Sequence, residues 1–345
     1  MIILLLAASC LILGCNKTGD NMSSLDMGME AIKRQEYSEA AMLFDKAVIE
    51  GADKRLSYRG MGMAQMGLAR YPEAIEAFKT ALSASDGVVD NIDYDISYYM
   101  GTAELKAGMP DEAYETYSAI LDLRPRDKMA YYLRGNAELK RGNKESAISD
   151  FNSAVSLAPS DLKLYIRIHD DLLREGMDAD ATSFINLALT NNSRIGAYEL
   201  GIFNYYLGDY TQARNYFEEA SKGKKASEES VLYLARTYAA LGDESYAKTL
   251  YENYIGSHPG SAEIYNELGM LRFKEEDYEG ALSDFESGLD IEDNASVKQS
   301  LLYNEIVAHE YLKDFGTAAS KMKAYISLYP DDEDALRENK FLSTR

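Results

Sequence analysis

Hydrophobic side chains recur along this chain with a period near 34 residues, and within each period they follow the spacing of a helix. In every period an alanine is followed four positions later by a large apolar side chain. Residues four apart are neighbours on one helix face, so each period predicts a helix with a buried stripe. The alanine column is Ala40, Ala74, Ala113, Ala147, Ala181, Ala213, Ala247, Ala281 and Ala318.

A second column of small residues lies twelve positions before most of these alanines. Small residues let two crossing helices approach, while the large apolar side chain fills the adjoining hole. The small column is Gly28, Gly62, Gly101, Gly135, Gly201, Ala235, Gly269 and Ala308. The large column is Phe44, Phe78, Tyr117, Phe151, Ile185, Phe217, Tyr251, Phe285 and Met322. Each period therefore predicts a pair of packed helices.

These columns resemble the tetratricopeptide repeat, which has small residues at positions 8 and 27, Ala at 20, an aromatic at 24 and Pro at 32. The resemblance implies an all-α, right-handed α-α superhelix of about nine helix-turn-helix repeats, over residues 23–332. A C-terminal capping helix is expected over 333–345, where apolar residues stand among charges. The approximate repeats are 21–54, 55–88, 94–127, 128–161, 162–193, 194–227, 228–261, 262–295 and 301–332.

Two kinds of departure from the repeat pattern stand out. The fifth repeat places His169 in the small-residue column and Asp178 where other repeats have a turn aromatic, so we expect this repeat to be degenerate. Extra residues near 86–93 and 294–300 predict two lengthened loops.

The first thirteen residues carry no charged side chain and are followed by Gly14, Cys15 and a polar segment. A helix of that length rises only about 20 Å, short of a hydrocarbon core of roughly 30 Å, which favours a signal peptide over a transmembrane span. The Ile-Leu-Gly-Cys tetrad ending at Cys15 resembles the lipobox of bacterial lipoproteins, although basic residues before the apolar run are missing. The resemblance implies a signal peptide over 1–14, with the lipidated Cys15 and a short linker over 15–22. Cys10 follows too short an apolar run to be the lipidated residue.

Composition narrows the possible functions. Hydrophobic residues make up 46% of the chain, enough for a core, and the formal net charge is −21. A surface this acidic repels phosphate backbones, so we expect no nucleic-acid partner. Only three His and two Cys are present, and no catalytic, phosphate-binding or metal-binding motif is found. We therefore expect no catalytic residue, metal, cofactor or small-molecule substrate.

Tyrosines outnumber phenylalanines by 27 to 10, and this excess is the best indication of function. In the tetratricopeptide family, first-helix positions 2, 5, 9, 12 and 13 line the concave face, and tyrosine suits peptide capture. The resemblance carries the groove role to Tyr98, Tyr132 and Tyr198 at position 5, Thr102, Asn136, Ile202 and Arg236 at position 9, and Tyr205 at position 12. The carboxylate clamp of chaperone-binding relatives is not reproduced, because Asn136 has Tyr132 where the clamp needs lysine.

The eighth repeat, 262–295, is an alternative binding surface. It contains eleven acidic and two basic residues, a net charge of −9, which would attract a basic partner or simply keep the repeat soluble. His309 falls at groove position 9 of the ninth repeat, but it lacks the second histidine of a zinc-protease motif.

The sequence thus predicts a membrane-anchored, extracytoplasmic scaffold, on the cell surface or the periplasmic side, that binds proteins or extended peptides in its groove and is not an enzyme. Its partners are an unidentified protein or peptide and, through the lipid, a membrane. An alternative function is assembly factor for a pilus, a secretion complex or an outer-membrane complex. An enzyme or sugar-binding lipoprotein is the third possibility.

Overall fold

The computed structural model describes residues 22–221, 227–291, 297–330 and 332–344. These residues form nineteen helices and no strand, which confirms the predicted all-α helical-repeat fold. By its internal contacts the chain divides into two compact units, and the division falls between Ser193 and Arg194. The predicted signal peptide, Cys15 and most of the linker lie outside the described residues.

The unit of residues 22–193 contains ten helices, and each of the first nine packs against the helix that follows it. Odd-numbered helices are the first helices of the repeats, and even-numbered helices are the second. The ten are α1 (Ser24–Lys33), α2 (Tyr37–Ile49), α3 (Lys54–Gly67), α4 (Tyr71–Ser83), α5 (Asn91–Lys106), α6 (Pro110–Leu123), α7 (Lys128–Lys140), α8 (Lys144–Leu157), α9 (Leu162–Arg174) and α10 (Asp178–Asn191).

The described part of the second unit, within 194–344, continues the same alternation with nine helices. The last of them lies in the segment where a capping helix is predicted, and its Ala335 and Leu342 are buried in a cluster with residues of the preceding helix. The nine are α11 (Ala197–Tyr206), α12 (Tyr210–Ser221), α13 (Glu228–Ala240), α14 (Glu244–Ile255), α15 (Ala262–Lys274), α16 (Tyr278–Leu289), α17 (Lys298–Tyr311), α18 (Phe315–Leu328) and α19 (Glu333–Leu342).

The small-residue column exists because aromatic rings of the second helices lie directly on it. Phe44 is fully buried. A Cβ added to Gly28 would lie 2.8 Å from the ring of Phe44, and one added to Gly60 of the next first helix would be closer still. Gly135 stands in the same relation to Phe151 at 2.6 Å, and Gly201 to Phe217 at 2.5 Å. Larger side chains in this column would separate the helices that form the core.

The fifth repeat has His169 in place of a small residue, and it also has a smaller side chain, Ile185, in place of the usual aromatic ring. His169 is 2% exposed, and Ile185 is fully buried where most repeats have an aromatic ring. A smaller second-helix side chain thus accompanies a larger first-helix side chain. The imidazole Nδ1 lies 3.0 Å from Oδ1 of Asp170, so burial does not deprive the ring of polar contact.

The turn between the two helices of a repeat uses one residue in the left-handed conformation. In five repeats this residue is glycine, which adopts positive φ without a Cβ clash. In the other four repeats a side-chain-bearing residue takes the same conformation at a cost in backbone strain. The glycines are Gly108, Gly142, Gly176, Gly208 and Gly242. The strained residues are Gln35, Ala69, Glu276 and Lys313.

Both predicted loops end in the first turn of a helix. The helix α5 begins at Asn91, so the end of the segment 86–93 is helical. Asp90 and Asp93 form a reciprocal capping box there, and Arg55 pairs with both carboxylates. These cap contacts extend the helix toward its N-terminus. In the other predicted loop, residues 298–300 likewise belong to α17.

Candidate partner-binding surface

In the first unit, Tyr98 and Thr102 lie one turn apart on α5. The Tyr98 ring is half-buried and packs against Tyr117 with the ring centroids 6.4 Å apart. Burial, followed by the nearby Asp127, raises the pKa of the Tyr98 phenol. The Thr102 hydroxyl donates to the carbonyl oxygen of Tyr98 at 2.8 Å and lies 3.3 Å from the hydroxyl of Tyr117. The Thr102 hydroxyl therefore contacts residues of its own repeat, whereas part of the Tyr98 ring is exposed to a partner.

Tyr132 and Asn136, on α7, lie beside Asp171 of α9. Tyr132 is only 5% exposed, and its hydroxyl donates to Oδ2 of Asp171 at 2.6 Å. Asn136 is half-buried next to both groups. Burial raises the pKa of both Asp171 and Tyr132. The Tyr132 ring is thus mainly a packing element, and the polar edge formed by Asn136 and Asp171 is the part that a partner can reach.

The second unit holds a cluster of tyrosines on its first helices. Tyr205 packs edge-on against Tyr206 and Tyr233, with ring centroids 6.0 and 5.7 Å apart. The hydroxyls of Tyr206 and Tyr233 lie 3.0 Å apart, and Tyr198 packs against Tyr233 at 6.5 Å. All four side chains are half-buried. We call these four residues on α11 and α13 the tyrosine cluster.

Sequence analysis did not identify Tyr233 as a site residue. It stands one position beyond groove position 5 of the seventh repeat, where the family pattern assigns Leu232. Leu232 is 5% exposed and belongs to the core. The available signal in the sequence was a tyrosine, Tyr233, directly after a leucine that the repeat pattern places on a first helix.

Ile202 and Arg236 have structural roles in the second unit. Ile202 is 3% exposed and lies in the core. Arg236 binds Oε1 of Glu263 at 3.0 Å and Oε1 of Glu267 at 2.6 Å, and both glutamates are on the first helix of the next repeat. The guanidinium therefore joins two successive repeats and is already satisfied by carboxylates.

The acidic eighth repeat is partly neutralised by its own neighbours. Besides the pairs with Arg236, Glu275 binds Lys248 at 2.5 Å and Asp284 lies 3.3 Å from Nε of Arg272. Glu276 is exposed in the strained turn. The net charge of −9 therefore overstates how much free negative charge this repeat offers a basic partner.

One group of potential metal ligands occurs among the described residues. Glu286, Glu305 and His309 place their ligand atoms within 4.8 Å of one another. Sequence analysis predicted no metal and missed this group, because Glu286 comes from a different helix. The spacing of Glu305 and His309 by four positions was the available signal.

No helix in the described part of the chain is both long enough and apolar enough to span a bilayer. The lipidation prediction at Cys15 falls outside the described residues and stays a prediction.

Comparisons with known proteins agree with the repeat pattern. Family models described as tetratricopeptide repeat match residues 25–88, 98–161 and 229–261. No curated protein sequence matches the chain.

Solved structures with similar folds include a tetratricopeptide repeat protein from Parabacteroides merdae ATCC 43184. It is 16% identical, with a TM-score of 0.50 over 73% of this chain and 99% of that protein. MamA from Desulfovibrio magneticus RS-1 is 21% identical, with a TM-score of 0.41 over 49% of this chain and 92% of its own.

Proposed function

Because this chain is a tetratricopeptide repeat protein, we propose that it is a non-catalytic scaffold that binds a protein, or an extended segment of one, through the first helices of its repeats. The observation that carries the proposal is the tyrosine cluster of the second unit. Its four rings are held by contacts with one another, yet each keeps part of its surface in solvent.

Such rings lose little conformational entropy when a partner binds, because they are already packed. Each ring offers part of an apolar face to a partner, whereas the hydroxyls of Tyr206 and Tyr233 already contact each other and the Tyr198 hydroxyl is buried. In the first unit, the half-buried ring of Tyr98 supplies a further apolar contact, and the edge formed by Asn136 and Asp171 supplies a polar one. Binding at the tyrosine cluster would depend on ring surface more than on charge.

We further propose that the scaffold is a lipoprotein, lipidated at Cys15, that works on the extracytoplasmic side of a membrane. The support is the uncharged leader and the lipobox-like tetrad in the sequence. The six residues from Asn16 to Asn21 span at most about 20 Å when extended. The first repeat would therefore stay close to the bilayer, within reach of membrane-associated partners.

Site-specific photocrosslinking in intact cells tests the binding surface. A photoreactive phenylalanine replaces Tyr206 in the tyrosine cluster, Glu219 on the second helix α12, or Glu279 in the acidic repeat. Both control positions are exposed. We expect one dominant adduct from position 206 and none from the controls, and mass spectrometry identifies the captured protein. A component of a pilus, secretion or outer-membrane complex would indicate the assembly role.

Affinity for the captured protein provides the quantitative check. Tyr205→Ala and Tyr206→Ala should each weaken binding by about 1 to 3 kcal/mol, with unchanged helicity by circular dichroism. Tyr132→Ala is unsuitable because that ring is buried. If adducts arise only at position 279 and the tyrosine variants bind normally, the acidic repeat is the binding surface and the proposal is wrong.

A further inference from the structure

The three potential metal ligands of the second unit come from two packed helices. Glu305 and His309 are four residues apart on α17, so their side chains lie on the same face of that helix. Glu286 belongs to α16, which packs against α17. The three ligand atoms lie within 4.8 Å of one another, and the ligands of a bound ion lie roughly 3 to 4 Å apart. Glu286 is exposed, so rotation of its side chain can bring its oxygen to that separation.

The imidazole of His309 is arranged as a metal ligand usually is. Its Nε2 atom is buried and has no hydrogen-bond partner among the described residues. Its Nδ1 atom lies 3.4 Å from Oδ2 of Asp314, and the side chain is only 12% exposed. Metal-binding histidines commonly donate one ring N–H to a carboxylate, which directs the lone pair of the other nitrogen at the ion. A buried nitrogen without a partner is costly, and a bound cation would satisfy it.

The carboxylate of Glu305 is buried and held in position at the inner end of the group. It is 4% exposed, and Lys321 donates to its Oε1 at 2.7 Å. The Lys321 contact occupies Oε1 and fixes the orientation of the carboxylate, so Oε2 is the atom that would bind an ion. Glu286 is the exposed member of the group, so an ion that enters from solvent would contact it first. The site therefore has a buried end and an open end.

We propose that Glu286, Glu305 and His309 bind a zinc ion that joins the second helix of the eighth repeat to the first helix of the ninth. Two carboxylate oxygens and one imidazole nitrogen, with a fourth position for water, suit Zn²⁺, whereas Ca²⁺ and Mg²⁺ prefer oxygen ligands alone. Because repeat arrays are stabilised by contacts between neighbours, an ion at this interface would strengthen the C-terminal end of the array.

Zinc binding is measured by isothermal titration of the metal-free full-length protein in detergent, in the presence of excess Ca²⁺ to occupy nonspecific acidic sites. We expect one Zn²⁺ per chain and a higher melting temperature with zinc. Glu286→Gln changes an exposed side chain and keeps the fold, so it is the primary variant. It should weaken binding at least tenfold, and His309→Gln should abolish this binding event and the thermal shift.

Matched controls separate the site from general acidity. Glu279→Gln removes an exposed acid from the same helix α16, and His258→Gln removes a histidine in a turn; both should bind zinc like the wild type. X-ray absorption of the zinc-bound wild type should show one nitrogen ligand from an imidazole, which His309→Gln removes. Wild-type affinity and stoichiometry in both Glu286→Gln and His309→Gln would overturn the proposal, as would the absence of a one-to-one binding event.

Discussion

The hydroxyl of Tyr132 on α7 donates a hydrogen bond to Oδ2 of Asp171 on α9 at 2.6 Å and so ties one repeat to the next. The Asp171 carboxylate also accepts a hydrogen bond from Nη1 of Arg174 at 2.9 Å. Asn136 and Asp170 are its other polar neighbours. Burial outweighs the favourable contacts and raises the pKa of Asp171 above its ordinary value. This contact between repeats should therefore depend on pH.

A carboxyl whose folded-state pKa is raised contributes stability below its ordinary pKa and loses that contribution as the pH rises through the raised value. Asp171→Asn keeps an oxygen that accepts from Tyr132 but cannot ionise. We expect the variant to gain melting temperature relative to the wild type as the pH rises from about 4.5 to about 8, because only the wild-type carboxyl ionises over this range.

Circular dichroism melts at the two pH values measure the effect, with Asp122→Asn as a control that removes an exposed acid of the same unit. A pH dependence of Asp171→Asn identical to that of the wild type would contradict the assignment of this group.

The contact between Gly135 and Phe151 predicts a specific core defect. An added methyl at Gly135 would lie 2.6 Å from the Phe151 ring, so Gly135→Ala should destabilise the protein by about 1 to 3 kcal/mol in denaturant unfolding. In a Phe151→Leu background, Gly135→Ala should reduce the free energy of unfolding by less. The fifth repeat supports this expectation, because it combines the larger His169 in the small-residue column with the smaller Ile185 in the large-residue column. Gly316→Ala, which meets no atom within 4 Å, should be neutral or stabilising. A Gly135→Ala protein as stable as the wild type would mean that the helices are not this close.

The left-handed turn residues predict a stabilising substitution. Ala69 has φ of 57° where other repeats have glycine, so Ala69→Gly should relieve strain and stabilise the protein by about 1 kcal/mol. Ala107→Gly is the matched control, because its φ of −78° suits alanine and glycine there adds only chain entropy. We expect that control to lose about 0.5 to 1 kcal/mol in the same denaturant measurement. Loss of stability in both variants would exclude strain at the Ala69 turn.

Lipidation at Cys15 predicts a change in processing. Cys15→Ser should leave the precursor uncleaved and unlabelled by palmitate, whereas the wild type should label and partition into the detergent phase. Cys10→Ser is the control and should behave like the wild type, because that residue is removed with the signal peptide. A wild-type protein that stays in the aqueous phase without label would exclude the anchor.

The repeat pattern predicted the helices well because it is a local property of the chain. An alanine and a large apolar residue four positions apart, such as Ala147 and Phe151, define a buried helix face wherever that helix packs. The cap of α5 shows the limit of this inference. The sequence predicted a loop at Asp90 and Asp93, but in the structure their side chains accept hydrogen bonds from backbone N–H groups at the start of α5.

The candidate site was predicted less completely. The family positions drew attention to α11 and α13, where the tyrosine cluster lies, but the same positions include the buried Ile202 and the ion-paired Arg236. A position number specifies a helix face, and it does not specify how far the neighbouring helix covers that face. Tyr233 was missed for this reason, since its exposure depends on packing against Tyr205 and Tyr206.

The sequence by itself determined the helical class, the repeat length and the crossings where only a small side chain fits, because all of these follow from spacing along one chain. Only the tertiary structure decided which side chains of different helices meet. Glu286 joins Glu305 and His309, and Tyr132 reaches Asp171, through the offset between packed helices. That offset results from how the core side chains of successive repeats fit together, which no single period of the sequence contains.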